Sequence, residues 1–169
     1  DGLSFSFNDQ KEYRIFNCRK KKTDLAEQIR IQLDDTTELM EEKNLQLLAE
    51  IPDHLYRETD EKMMEKVFRN VIINAICYSP EKETIRISLK QQKNEIFFRI
   101  ENTGVFLPEE ALPHLFEAFY RVDGSRNRAT GGSGLGLYIV KMVLEQHDAD
   151  YKMENSKEGV YFSFSMKTT

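Results

Sequence analysis

No apolar run in this chain approaches the roughly 20 residues that a membrane-spanning helix needs, and its amino terminus lacks the order of a secretory leader. No membrane contact by this stretch is therefore expected. Basic charge is not in excess either, since 24 Lys and Arg stand against 29 Asp and Glu for a net charge of −5. Nonspecific nucleic-acid affinity comes from a basic face, so no nucleic-acid partner is expected. Only two cysteines occur, Cys18 and Cys77, far apart and in no paired spacing. That pattern fits a reducing compartment better than a disulfide framework or a zinc site. A length of 169 residues suits one domain with a proper core. The chain starts at Asp1 rather than methionine, and it is expected to be a piece of a longer protein.

Glycine is scarce but concentrated. Of the 8 glycines, Gly131, Gly132, Gly134 and Gly136 fall together and run at once into the apolar pattern Leu137-Tyr138-Ile139-Val140-Lys141-Met142-Val143-Leu144-Glu145. Each glycine costs roughly 0.5–1 kcal/mol of backbone entropy relative to alanine. In return, the backbone can approach a ligand closely, and the N–H groups and dipole of a helix start favour an anion such as phosphate. A plain flexible turn is the competing reading. The spacing matches neither a P-loop nor the dinucleotide fingerprint, and the preceding segment, with Arg121, Arg126 and Arg128, is basic and polar.

The rest of the chain reads as strands and helices. Residues 1–22 could be short strands or a linker, and the run Arg19-Lys20-Lys21-Lys22 reads as a solvated boundary. A helix is expected over residues 23 to about 42, with Asp24 and Glu27 at capping-box separation and Leu25, Ile29, Leu33 and Met40 on one face. A strand follows from Leu45, stopped by Pro52. The next helix, residues 60–78, is apolar around most of its circumference, and so is expected to be buried on more than one side. Two hairpins, over residues 84–100 and 151–166, are separated by a short helix from Pro108 and a second over 113–120, with Phe116 and Phe119 as core packing. The sum is a mixed, largely antiparallel sheet with helices on one face.

Three amides interrupt this apolar fabric. Asn70 and Asn74 lie one turn apart on the same face of the second long helix. They either bond to neighbouring backbone or serve a ligand, and a carboxamide oxygen suits Mg²⁺ that is shared with nucleotide phosphates. Asn102, followed by Gly104 and Pro108, ends a strand. The segment is a simple turn, or a place where an amide bonds a heterocycle and Gly104 allows close approach.

The order Asn70-x-x-x-Asn74, Asn102-x-Gly104, Phe116-x-x-Phe119-Tyr120-Arg121 and Gly132-x-Gly134-x-Gly136 resembles the catalytic ATP-binding domain of bacterial sensor histidine kinases. These belong to the GHKL ATPase superfamily, whose Bergerat fold is an α/β sandwich. The resemblance covers about residues 23–166 and implies a division into 1–22, a linker or the end of a dimerisation region, and 23–169, the ATP-binding domain. It implies ATP and Mg²⁺ as cofactors, with Asn74 as metal ligand, Asn70 facing the phosphates, and Tyr78, Asn102 and Gly104 at the adenine. Gly132, Gly134, Leu135, Gly136 and Leu137 would cradle phosphates, and the lid arginines Arg121 and Arg126 would approach the γ-phosphate or the partner domain.

The sequence also departs from the family's pattern. Asn102 stands where the family has an aspartate, Phe106 where it has a second glycine, Cys77 where a lysine is common, and Asp148-Ala149 where two glycines follow His147. His54, His114 and His147 fit no phosphoacceptor pattern, so each is expected to be structural, with His114 starting a helix and His147 ending one. The implied enzyme is a histidine protein kinase that phosphorylates its own dimerisation domain, absent from this chain, and passes the phosphoryl group to a response regulator. By the same resemblance it is the cytoplasmic part of a membrane-anchored homodimer. A degenerate nucleotide-binding interaction module and a serine kinase of the anti-sigma-factor type are the alternatives.

Overall fold

A computed structural model of the chain describes residues 17–122 and 135–169. Alternation in the strands puts Ile85, Ile87 and Leu89 of β4 (Thr84–Gln92) and Ile96, Phe98 and Ile100 of β5 (Glu95–Thr103) on one buried face. With β2 (Gln46–Glu50), β6 (Asp150–Asn155) and β7 (Gly159–Lys167) they form a sheet of order β2-β4-β5-β7-β6. Only the β2–β4 pairing is parallel. Helices cover the apolar face, so the α/β sandwich expected from the sequence is borne out.

The helix that covers most of that face is α3 (Glu61–Tyr78), whose Met64, Val67, Phe68, Val71, Ile72 and Ile76 are buried. Asp60 caps it by accepting from the Met63 N–H at 3.0 Å. Phe68 meets Phe98 edge-on at 5.3 Å, and Phe98 stacks on Phe164 at 5.1 Å. Each such ring contributes about 1.5–3 kcal/mol through burial alone. At the other end, the Lys43 ammonium donates to the carbonyls of Ile76, Cys77 and Ser79, satisfying groups the helix leaves open. Helix α4 (Gly136–Gln146) packs beside α3, with Val140, Val143 and Leu144 buried.

Several local expectations are corrected. The single helix over residues 23–42 is two, α1 (Leu25–Asp35) and α2 (Thr37–Glu42), broken where the Thr36 hydroxyl donates to the carbonyl of Gln32. Asp24 does cap α1, through the Glu27 N–H. A small ladder of β1 (Lys21–Asp24) with β3 (Tyr56–Thr59) was not expected, and it draws two residues of the basic run into regular structure. The two helices expected over residues 108–120 reduce to one 3₁₀ turn, Glu109–His114, with Pro113 inside it. Proline lacks an N–H and disfavours helix in the residue before it, so His114 ends this element rather than starting one. Phe116 packs on Tyr151, but Phe119 is 69% exposed at φ +69° and is not core.

His147 caps the end of α4 and is fully buried. Its Nδ1–H donates to the Val143 carbonyl at 2.8 Å, and its Nε2 accepts from the Asp60 N–H at 3.0 Å, tying the end of α4 to the start of α3. Burial holds its pKa below the ordinary value; the Val143 bond and Asp60 oppose this, while Lys20 and Arg57 add to it. A buried neutral imidazole favours the unfolded chain once that chain takes up a proton. Stability is thus expected to fall as pH drops through the unfolded value of about 6.5 toward the lower folded one. Thermal midpoints measured between pH 7.5 and 5.5 should decline in the wild-type chain, and less steeply in His147→Gln. Equal slopes would remove His147 from this role.

Candidate active site

Between α3 and the start of α4 the structure holds a cavity of about 330 Å³, within the range of small-molecule sites. Asn70, Asn74 and Tyr78 reach it from α3, Asn102 from β5, Arg121 from the following loop, and Leu135, Gly136 and Leu137 from the start of α4. Eight of the residues singled out from the sequence therefore share one cavity. Gly104 does not line it. At φ +84° it turns the chain, donates to the Glu158 carbonyl at 3.0 Å and faces the Glu83 side chain. Arg126, Gly132 and Gly134 lie outside the described residues.

Helix geometry explains why the two α3 amides cooperate. Four residues apart, they stack along the face turned toward α4. Asn70 bonds its own helix, its Nδ2 donating to the Lys66 carbonyl at 2.9 Å. Its Oδ1 lies 3.1 Å from where a Cβ on Gly136 would stand, so glycine there lets the α4 start approach this amide. Asn74 has no side-chain hydrogen bond among the described residues and opens on the cavity. Leu135 occupies the α4 N-cap and offers its first turn no side-chain oxygen. The positive end of the dipole and the amides of Gly136 and Leu137 thus border the same space as Asn74.

Strand alternation sorts the other wall. Glu101 points away from the cavity, where Ser156 and Arg86, the latter at 3.0 Å, bond its carboxylate. Burial pushes the Glu101 pKa up, but those two partners outweigh it and hold it below the usual carboxylate range. Asn102 continues the inner row of Ile96, Phe98 and Ile100, is 5% exposed, and lines the cavity without a side-chain hydrogen bond among the described residues. Its amide borders the cavity, where a ligand can bond it. Around it Ile100, Met153, Val160 and Phe162 make an apolar slot suited to a flat heterocycle. Sequence reading missed these wall residues, although the same alternation that assigned the strands marks them as inward-facing.

The loop after β5 is held at its root by a two-way bond. Asn155 of β6 accepts from the Leu107 N–H at 2.8 Å and donates to the Leu107 carbonyl at 2.9 Å. Phe106 is exposed, is off the cavity and is absent from the positive-φ residues, so the glycine expected there is not required by the backbone. Cys77 is likewise off the cavity, and burial raises its pKa while Lys43 opposes. Asp148, in the place of a family glycine, does take the left-handed conformation at φ +54°.

An apolar slot, two carboxamides with no side-chain hydrogen bond among the described residues and the start of α4 thus border one cavity. The family described as "Histidine kinase-, DNA gyrase B-, and HSP90-like ATPase" matches residues 59–169, and the chain belongs to it. The chain is 34% identical over 137 residues to the sensor protein VanSB of Enterococcus faecalis, covering 81% of this chain and 31% of that protein. It is 34% identical over 136 residues to the sensor histidine kinase WalK of Bacillus subtilis, covering 78% of this chain and 22% of that one. It thus spans about a third of the length of these curated relatives, or less. Among solved structures, the nucleotide-free catalytic domain of histidine kinase ThkA superposes with a TM-score of 0.79 at 25% identity, covering 89% of this chain and 97% of that one. A structure of ThkA in complex with the response regulator protein TrrA matches with a TM-score of 0.75 at 25% identity, covering 90% of this chain and 42% of that one.

Proposed function

We propose that this chain is the ATP-binding catalytic domain of a two-component sensor and transfers the γ-phosphoryl group of ATP to a histidine on a dimerisation domain that this chain does not contain. The observation that carries this reading is the meeting in one cavity of the α4 start with the Asn74 and Asn102 amides, which make no side-chain hydrogen bond among the described residues. Asn102 and Tyr78 hold the base, Asn70 faces the phosphates, and the Gly136 and Leu137 amides meet phosphate oxygens. Arg121, with Arg126, offsets charge on the transferred group. Gly132 and Gly134 complete the cradle.

Asn74, the metal ligand that the family resemblance implies, brings to the cavity a carboxamide with no side-chain hydrogen bond among the described residues. Mg²⁺ suits that role because it takes few protein ligands and shares the phosphates. When bound, it would neutralise phosphate charge. The attacking imidazole nitrogen forms the new bond to the γ-phosphorus as the bond to the β–γ bridging oxygen breaks and ADP leaves. What the chain contributes is therefore positioning and electrostatics.

The division into residues 1–22 as linker and 23–169 as catalytic domain is part of the same reading. So are a homodimeric, membrane-anchored whole protein and a response regulator as acceptor. ThkA, crystallised with TrrA, supports the last. No described helix is long and apolar enough to cross a membrane.

The test is transfer of labelled γ-phosphate from MgATP to the protein's own histidine-bearing dimerisation segment. The expected product is an acid-labile, base-stable phosphohistidine. An acid-stable phosphoserine on a partner would instead support the anti-sigma type of kinase, and nucleotide binding without transfer would support a degenerate module.

A further inference from the structure

The described lining of the cavity contains three side-chain amides, the hydroxyls of Tyr78 and Tyr120 and the guanidinium of Arg121, but no carboxylate. The one carboxylate adjacent in sequence to the base slot, Glu101, is turned to the opposite face and bonded to Arg86 and Ser156. Asn102, on the same strand as Ile100 and paired with Val160 across the sheet, brings its amide to the apolar slot, and that side chain is bonded to nothing among the described residues. A carboxylate can only accept hydrogen bonds, whereas a carboxamide presents an oxygen that accepts and an NH₂ that donates. Exchanging the two ends is a half-turn about χ2, a broad two-fold torsion, and it breaks no side-chain bond among the described residues.

Resting on the nucleotide reading above, we infer that Asn102 reads the 6-position of a purine without regard to polarity, so that the site takes 6-oxopurine nucleotides alongside 6-aminopurine ones. Facing adenine, the Asn102 oxygen accepts from the 6-amino group. Facing hypoxanthine or guanine, the turned amide donates to the 6-oxo group. The apolar walls formed by Ile100, Met153 and Val160 add shape but no polar preference of their own. Asn102 is thus a specificity-determining residue, and the specificity it sets is broad.

Direct titration of the 169-residue chain with Mg-ADP and with Mg-IDP tests this, because the two bases share ring shape and differ at the 6-substituent and the N1 proton. Dissociation constants within about tenfold of each other are expected. In Asn102→Asp the carboxylate faces the 6-oxo group, and the ratio should move toward ADP by about 10–100-fold, the scale set by leaving buried polar groups unpaired. In Asn102→Ala both ligands should weaken and the ratio stay near that of the wild type. ADP binding with IDP more than about 100-fold weaker in the wild-type chain would overturn the inference and leave the nucleotide site standing. Binding of neither would overturn both. The wild-type ratio decides the matter even if the aspartate variant does not fold.

Discussion

Replacing Asn74 with alanine is expected to lower phosphotransfer by about 100-fold or more, the scale seen when one pre-positioned charge-stabilising group is removed from an active site. The side chain is half-buried, makes no protein hydrogen bond among the described residues and opens on the cavity, so the fold does not depend on it. Thermal midpoint in the absence of ligand should therefore change little. The variant also separates a metal role from a packing role. If the carboxamide oxygen serves Mg²⁺, nucleotide affinity in the wild-type chain should rise on adding Mg²⁺, and in Asn74→Ala that gain should vanish while metal-free affinity is retained. Equal loss with and without Mg²⁺ would move Asn74 from the metal to the wall of the pocket.

Among the described glycines, Gly159→Ala is expected to be the most damaging substitution by alanine. An added Cβ would stand 2.0 Å from the Asn102 carbonyl oxygen and 2.7 Å from the Thr103 Cα, both main-chain atoms. Relief requires prising β7 from β5 at the pairs Asn102↔Val160 and Thr103↔Gly159, the rung that aims Asn102 into the cavity. Overpacking a fitted site costs typically 1–3 kcal/mol and more where nothing can yield, so a loss of about 3 kcal/mol in denaturant unfolding is the expected result. Nucleotide affinity should drop in the protein that still folds, because the displaced strand end carries the base-reading amide. A variant of unchanged stability would mean that the two strands are not in this register.

Strong periodicity made the larger elements legible. The all-round apolar pattern of α3, the alternation of β4, β5 and β7, and the Asp24 cap all reached the structure as read. Short-range chemistry was harder to weigh. Thr36 looks like any helical position until its hydroxyl is seen to take the carbonyl of Gln32 and interrupt the helix. Tyr56–Thr59 is too short to show a period, and its pairing with β1 is a tertiary fact. Phe119 matched an aromatic stripe at helical spacing, but Pro113 and a left-handed backbone turn it out to solvent.

At the site, Asn70 and Asn74 stand out in the sequence because amides in an apolar helix are costly without a partner, Asn102 stands out as an amide that ends a strand, and Tyr78 is named only through the family resemblance; all four line the cavity. For Gly104 the sequence left open a simple turn or close approach to a ligand; its φ of +84° suits the turn, and it does not line the cavity. The apolar slot, the Asn155 clamp on Leu107 and the His147 bond to Asp60 join residues distant in sequence, and no local pattern announces them.

The most direct measurement is a two-dimensional NMR titration of the ¹⁵N-labelled chain with Mg-ADP. The backbone amides of Gly136 and Leu137 and the side-chain amides of Asn70, Asn74 and Asn102 should shift together along one binding curve, while the β1–β3 ladder stays still. Shifts confined to other surfaces, or none at millimolar nucleotide, would contradict a nucleotide site between α3 and α4.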